Sequence, residues 1–386
     1  MNSKKQMPVH HASNPSRKSI PRIVIATLLF LFVFVASGIG ITYYNLQSSI
    51  KTVNVNKLLN KKNSKPVDSY DGKPLNILVI GSDVRTGKNS RFGNEEGMRS
   101  DTTLLVHISA DRKHTQVVSI ARDILLNIPE CKRADGSVVP ANYNQFNSAF
   151  AYGGLDGNIS SAAACTIKTV ESMSGISIDE FVVVDFSGFI NVVNSLGGVD
   201  YCFDQDINDP LSELNVKQGC QTLDGFHALA LARARYSLGD GSDVSRINRQ
   251  QELIFKLIEK VKAQNILTNI PTLYSFLKSS LSTLTTSEQL GSLTTMGGIA
   301  YSLRNIKNEN IQFVTLPIQQ APQDLNRLVV SPEAATVWQL LKEDKPIPAD
   351  LVGLKTFVKP QEPNADSKNT KDTNNSKEKS SKKNTN

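Results

Sequence analysis

The chain has 386 residues, with 43 Lys and Arg against 36 Asp and Glu and a formal net charge of +7. That length provides a sizeable core, in one large domain or two smaller ones. The charge is modest and much of it lies at the two ends, which removes the usual electrostatic argument for a nucleic-acid partner.

Residues 1–22 are polar and basic, with Lys4, Lys5, Arg17, Lys18 and Arg22. Residues 23–43 (IVIATLLFLFVFVASGIGITY) carry no charge and are long enough to cross a bilayer. Tyr43 and Tyr44 stand where interfacial aromatics belong, and the positive flank precedes the span. The expectation is a single-pass type II protein of the cell membrane, N-terminus cytoplasmic and the rest extracellular. A cleaved signal peptide is the alternative, but the apolar run is longer than a typical h-region and Ala36-Ser37-Gly38 is a weak cleavage site. Apolarity on every face argues against a buried core helix.

Residues 44–73 read as a polar stalk, and the folded domain is expected to occupy residues 74–345. Residues 75–80 (LNILVI), 102–108 (TTLLVHI) and 116–120 (QVVSI) read as strands, the last two joined by a short turn into an antiparallel hairpin. If the three run up, down and up, then Asp83, Asp101, Arg122 and Asp123 all lie at one end of the sheet. Asp83 and Asp101 could then share a hard cation such as Mg²⁺, held by carboxylates together with substrate phosphate oxygens. Taken one at a time, the two aspartates also suit ordinary strand-end turns; their convergence with Arg122 favours a site. The glycine-rich, charged loop 84–100 between them is expected to close over a ligand.

Residues 142–154 enter a helix or turn, 160–173 form a helix, 181–186 (FVVVDF) a buried strand, 187–196 an amphipathic helix and 199–203 a strand. Residues 222–225 cap a helix, residues 265–301 hold two or three amphipathic helices, 311–316 form a late strand and 332–341 a closing helix. Strands alternating with helices indicate an α/β domain with a mixed sheet. Phe181, Phe186, Phe189, Ile190 and Val193 form a dense apolar region that reads as core, with a lipid groove as the other reading. Residues 346–386, and above all those after Lys359, are polar and expected to be disordered.

The four cysteines, Cys131, Cys165, Cys202 and Cys220, follow the apolar span, in a compartment where disulfides persist. Three pairings are possible. Cys131–Cys165 with Cys202–Cys220 is preferred, because the second pair brackets a short excursion between two strands. The absence of CxxC spacing, and of ligand spacing among the histidines, disfavours zinc; His107 reads as structural.

Residues 229–251 (LALARARYSLGDGSDVSRINRQQ) concentrate Arg233, Arg235, Arg246 and Arg249 with Asp240, Asp243 and Gln250. Arg233 and Arg235 alternate at the end of a helix, and a glycine-rich turn follows. Asp243 or Ser245 then caps a helix running to about residue 262, with Ile247, Ile254, Leu257, Ile258 and Val261 as its apolar stripe. Gln250 falls inside that stripe and Arg246 at its edge, where a polar group needs a polar partner. Arginines converging beside a helix N-terminus suit a strongly anionic ligand such as a pyrophosphate. A solvated, salt-bridged face is the competing reading.

Beyond the residues themselves, the chain resembles the LytR-CpsA-Psr family of cell-wall glycopolymer transferases. The likeness rests on NILVIGSD (76–83), RSDTTLLV (99–106), VVSIARD (117–123), FNSAFAYGG (146–154), VVVDFSGFINVVNSLGGVD (182–200) and LDGFHALALARARYSLGDGSDVSRINRQQ (223–251). These stand in the family's order. The resemblance implies a three-layer α/β/α sandwich outside the membrane that moves a glycopolymer from a polyprenyl-pyrophosphate carrier to peptidoglycan. It implies that a muramic-acid hydroxyl attacks the phosphorus attached to the sugar. Asp83 and Asp101 would then hold Mg²⁺ (or Mn²⁺), and Arg122, Arg233, Arg235, Arg246 and Gln250 would bind the pyrophosphate. Arg249 and Asp243 lie in the same motif with less defined roles, Arg249 among the pyrophosphate contacts. Phe186, Phe189, Ile190 and Val193 would wall the lipid pocket. The chemistry needs positioning and charge neutralisation more than a side-chain nucleophile. The rival functions are a polyprenyl-pyrophosphate hydrolase, a membrane-bound transcriptional attenuator and a non-enzymatic wall-binding protein.

Overall fold

A computed structural model of the chain describes residues 19–61, 72–85, 87–93, 97–235, 237–238, 242–264, 266 and 270–348. The expected cytoplasmic tail 1–22 lies almost wholly outside the described residues, and the expected C-terminal tail does so beyond residue 348. Helix α1 spans Ser19–Ser48. Over residues 23–44 its side chains are exposed and mostly apolar, Phe30 by 73 % and Phe34 by 69 %. It is long and apolar enough over Ile23–Ser48 to fit a single-pass membrane anchor.

The expected stalk, residues 44–73, does not begin directly after α1, and its residues 62–71 lie outside the described residues. Two residues beyond α1 the chain enters the central sheet as β1, Lys51–Val53. Leu46, Ile50 and Val55 are buried. The polar letters of residues 44–73 concealed this, because an edge strand needs inward side chains only at alternate positions. The sheet has seven strands. After β1 come β2 (Leu75–Ser82), β3 (Ser100–Ile108), β4 (Thr115–Ile120), β5 (Glu180–Val184), β6 (Leu284–Ser287) and β7 (Ile311–Thr315). Their spatial order is β1-β6-β5-β2-β3-β4-β7. β2, β3 and β4 form an antiparallel meander, as their short connections require. β5 joins β2 in parallel, and β7 joins β4 in parallel. The sheet is mixed.

Leu78, Ile80, Leu105, Val118 and Val183 project to one face. There they meet helices α2 (Ser148–Gly153) and α3 (Ile159–Ser174) in the largest core cluster. The closing helix, Ala334–Lys342, adds Val337 and Trp338. On the other face Leu75 and Ile108 pack on Ile299 of the helix Leu293–Ser302. The sheet is therefore sandwiched between helical layers, as expected. A second cluster is built by α4 (Phe186–Ser195), α5 (Gly225–Arg233), α6 (Asp243–Ala263) and the hairpin of Val199–Phe203 with Gly219–Leu223. Gly225 lets α5 lie directly on α4, since a Cβ there would overlap the Ile190 carbonyl.

Three elements differ from the expectation. Residues 142–154 do lead into a helix, α2, but Asn142–Gln145 first forms a strand paired with Leu125–Ile128. β6 interrupts the stretch read as helices only, because four residues (LTTS) are too few to show a period. The body also continues past residue 345: Ile347 is 1 % exposed, and its N–H and C=O are both bonded to the Gln312 side chain.

Both preferred disulfides are present, Cys131–Cys165 and Cys202–Cys220. The second joins directly opposed residues of the 199–203/219–223 hairpin. Replacing Cys202 and Cys220 together by serine should lower the unfolding free energy by about 3 kcal/mol in the chain-entropy model, read by denaturant titration. No cysteine of the unreduced protein should react with a thiol reagent.

His107 is buried between Asn76 Oδ1 (2.8 Å) and Asp344 Oδ1 (3.0 Å). Burial lowers its pKa, and the Asp344 carboxylate opposes that without prevailing. The fold thus favours the neutral ring. Its contribution is complete above the unfolded pKa of about 6.5 and is lost as pH falls toward the lower folded value. The melting temperature should therefore drop on acidification below pH ~6.5, and less steeply in His107→Gln.

Candidate active site

The meander decides where the charged residues go. β2 ends at Ser82, β3 begins at Ser100 and β4 ends at Ile120, so the segments beyond these ends meet at one edge. Asp83 is fixed there twice: its N–H donates to the Arg99 carbonyl (3.1 Å), and its Oδ1 accepts from the Arg99 N–H (2.6 Å). Asp101 Oδ1 accepts from Arg122 Nη1 at 2.6 Å. The Arg122 backbone is tied down in turn, since its carbonyl accepts from the Asn147 N–H (3.1 Å) just ahead of α2.

α6 completes the cluster from above. Its N-cap is Ser242, whose side chain accepts from the Ser245 N–H; the expected caps, Asp243 and Ser245, sit one and three residues further in. That shift puts Asp243 in the first turn, where a carboxylate suits the helix dipole. Asp243 lies 2.6 Å from Arg246 Nη2, 3.5 Å from Arg235 Nη2 and 3.6 Å from Arg122 Nε. One buried carboxylate thus holds three guanidinium groups drawn from β4's end, the segment after α5, and α6. Arg246 is 4 % exposed and also reaches the Asp101 carbonyl at 3.5 Å.

The protonation energetics follow from burial. Burial, and after it the like charge of Asp101, push the Asp83 carboxyl up. Burial also pushes Asp243 up, against the pull of Arg246. It lowers Arg246 and Arg233. Arg122 is held above its usual value because Asp101, Asp123 and Asp243 outweigh its own desolvation. Among the described residues, the Nε–H groups of Arg122, Arg235 and Arg246 are buried without a hydrogen bond, as are both carboxylate oxygens of Asp243, so the cluster is held by charge more than by aligned hydrogen bonds. Buried donors of this kind are costly unless an acceptor reaches them, and an anion would supply it.

Arg233, the last residue of α5, stands between this polar cluster and an apolar one. Its guanidinium lies 5.4 Å from the Phe92 ring and 5.2 Å from that of Phe186, while Asp101 and Arg85 act on it electrostatically. Gln250 bridges α6 to the neighbouring elements, accepting from Thr102 Oγ1 (3.2 Å) and donating to the Ala232 carbonyl (3.1 Å). Phe186, Phe189 and Ile190 pack with Phe92, Phe226 and Leu229. Val193 does not join them. It is fully buried in the second core cluster, because it lies about 10 Å further along α4 than Phe186. Arg249 is likewise placed differently from the expectation. Its guanidinium donates to the Ala234 and Leu238 carbonyls and to Ser245 Oγ. It fastens the segment that carries Arg235. The glycine-rich turn with Asp240 lies outside the described residues.

Sequence reasoning gave Asp243 too small a part and missed Gln251. The latter is buried under the sheet and donates to Ser119 Oγ (2.8 Å) and Thr315 Oγ1 (3.2 Å), anchoring α6 across β4 and β7. Gln251 follows Gln250 directly, and periodicity alone cannot separate such neighbours. The loop 84–100 contains a 3₁₀ turn, Gly87–Phe92, whose Asn89 side chain accepts from Ser187 at the start of α4.

With this geometry in view, comparisons place the chain among known proteins. The sequence model described as the LytR_cpsA_psr family matches residues 42–345. The polyisoprenyl-teichoic acid–peptidoglycan teichoic acid transferase TagT of Bacillus subtilis is 32 % identical over 257 residues, covering 64 % of this chain and 71 % of that one. Across the relatives compared, the matching segment spans from 48 % to 79 % of their own length. The fold is also that of solved structures. Protein gbs0355 from Streptococcus agalactiae aligns with a TM-score of 0.57 at 22 % identity, over 74 % of this chain and 92 % of that one. TagV of Bacillus subtilis aligns with a TM-score of 0.52 at 24 % identity, over 71 % and 98 %.

The electrostatics of the hub can be tested without a substrate. Asp243→Asn leaves three guanidinium groups without their shared counter-charge and should cost about 3–5 kcal/mol of stability. Inorganic pyrophosphate should raise the melting temperature of this variant by more than that of the wild type, measured by calorimetry.

Proposed function

The chain belongs to the LytR-CpsA-Psr family, and on that premise we propose that it transfers a glycopolymer from a polyprenyl-pyrophosphate carrier to peptidoglycan. The observation that carries this reading is the convergence of Arg122, Arg235 and Arg246 with Asp101 and Asp243 at one end of the sheet. The relative TagT is named for transfer of polyisoprenyl-linked teichoic acid to peptidoglycan, which supports the same substrate class here.

In this reading the pyrophosphate lies against Arg122, Arg233, Arg235 and Arg246, whose planar, multidentate donors match its oxygens. Gln250 adds a polar contact between Thr102 and Ala232. The buried Nε–H groups gain the acceptors they lack. An acceptor hydroxyl of the wall forms a new P–O bond to the phosphorus that bears the sugar, and releases its proton to solvent. The bond from that phosphorus to the bridging oxygen breaks, and polyprenyl phosphate leaves with the electron pair. The reaction is a phosphoryl-type transfer, in which fixed positive charge stabilises the transition state.

The pair Asp83 and Asp101 suits a hard cation: the two carboxylates are close enough for Asp101 to raise the Asp83 pKa, and each offers oxygen ligands. They would hold Mg²⁺ or Mn²⁺, which when bound supplies further counter-charge to the pyrophosphate oxygens. Phe186, Phe189 and Ile190, with Phe92 and Phe226, would receive the start of the lipid chain beyond Arg233. The apolar helix α1 would hold the protein in the cell membrane in type II orientation, the body outside.

Transfer of a polyprenyl-pyrophosphate saccharide to peptidoglycan oligomers by the purified full chain tests the reading. Arg122→Ala should lower the rate by about a hundredfold or more, the effect of losing one charge-stabilising contact worth roughly 3 kcal/mol. Asp83→Ala should weaken the response to added Mg²⁺, and Arg246→Lys should impair transfer because an ammonium cannot reproduce a bidentate grip. Circular dichroism should show all three folded. Release of free polymer instead of a peptidoglycan conjugate would identify a hydrolase. Wild-type rates in folded Arg122→Ala and Asp83→Ala would remove the site.

A further inference from the structure

The junction between α1 and the body has two features of a fixed joint. Exposure falls within two residues, from 72 % at Tyr44 to 8 % at Leu46. The Gln47 side-chain amide then closes a two-point clamp: Nε2 donates to the Gly291 carbonyl (2.8 Å) and Oε1 accepts from the Leu293 N–H (3.0 Å). The last helical turn folds straight into the sheet, with Ser49 and Ile50 N–H groups bonded back to Leu46 and Gln47. Gly291 is required for this closeness, since a Cβ there would overlap the Thr52 side chain of β1.

Register fixes where this joint lies relative to the site. Lys51 pairs with Thr285, Thr285 with Val183, and Val183 with Ile80. The chain therefore leaves α1 and enters the sheet at the level of Ile80, three residues before Asp83. At about 3.3 Å per residue, Asp83 projects roughly 10 Å further in the direction from which β1 enters, and β1 lies roughly 14 Å to the side of β2. The opposite end, the β3–β4 turn with Asp111 and Lys113, lies away from the joint. At the site end Lys51, Arg91 and Arg99 are exposed.

We propose that α1 and the catalytic body form one rigid piece, joined through Leu46, Gln47 and Ile50, that presents the site end of the sheet to the surface of an anionic bilayer. The proposal rests on the reading of α1 as a membrane anchor and extends it. A clamped joint fixes the height and tilt of the site over the lipid from which its substrate's headgroup projects. A flexible stalk would leave both undefined, and orientation would then depend on charge alone. Exposed basic residues at the site end add attraction to anionic headgroups, which salt screens.

Because all four cysteines are bonded in pairs, a single introduced cysteine can carry a fluorescent donor. Arg91→Cys marks the site end and Lys113→Cys the opposite end, in the full chain reconstituted in vesicles with a headgroup acceptor dye. With the two positions roughly 30 Å apart along the strands, energy transfer in zwitterionic vesicles should be at least about twofold greater from position 91. A flexible Gly-Ser insertion between Ser48 and Ser49 should bring the ratio toward one, and phosphatidylglycerol at low salt should restore part of it. Equal or reversed transfer in the uninserted chain overturns the orientation. An insertion without effect overturns the rigid joint, and no response to anionic lipid overturns the charge contribution. A chain that is extracted from the vesicles by carbonate refutes the anchor itself, and the proposal falls with it.

Discussion

One buried carboxylate, Asp243, makes the arginine cluster possible. Arg122, Arg235 and Arg246 carry like charges into a region where water screens them poorly. Without an anion among them they would repel one another and leave the interior. Asp243 sits within 3.6 Å of all three, and Asp101 takes a share of Arg122. Such a network yields little net stability, because desolvation offsets attraction. Its use is positional: guanidinium groups from three separate segments are held close together, with donors to spare.

The fold supplies the frame. Short turns force β2, β3 and β4 into a meander, and a meander returns its first and third strand ends to one edge. Asp83, Asp101 and Arg122 meet there by topology. Their partners arrive from a different core cluster, carried by α5 and α6, and Gln251 fixes α6 to β4 and β7. The site is therefore a seam between two cores. Arg233 extends that seam to the aromatic surface of Phe92 and Phe186, where a polar headgroup could give way to a hydrocarbon chain.

Much of this was legible in the letters. Residues 75–80, 102–108 and 116–120 are apolar runs bounded by polar turns, so their strands, their hairpin and the shared end could be read directly. Spacing favoured the observed disulfide pairing without excluding the other two, and the strand hairpin that returns Cys220 opposite Cys202 is what settles it. What escaped depends on contacts distant in sequence. Nothing local marks Asp243 as a hub, since its burial arises only when α6 lies across the ends of β3 and β4. Arg249 looks like its neighbours, yet its reach to the Ala234 and Leu238 carbonyls makes it a fastener. β1 and β6 are too short and polar to show a period, and the polar stretch after α1 concealed a strand that docks the anchor.

In the proposed function these arginines grip the pyrophosphate of a membrane-borne carrier. Native mass spectrometry of the full chain, purified with its membrane lipids, tests it most directly. A polyprenyl-pyrophosphate saccharide should co-purify with the wild type, be displaced by added inorganic pyrophosphate and be largely absent from folded Arg246→Lys. A wild-type protein that carries no such species, or a variant that retains it equally, would rule out the arginine grip.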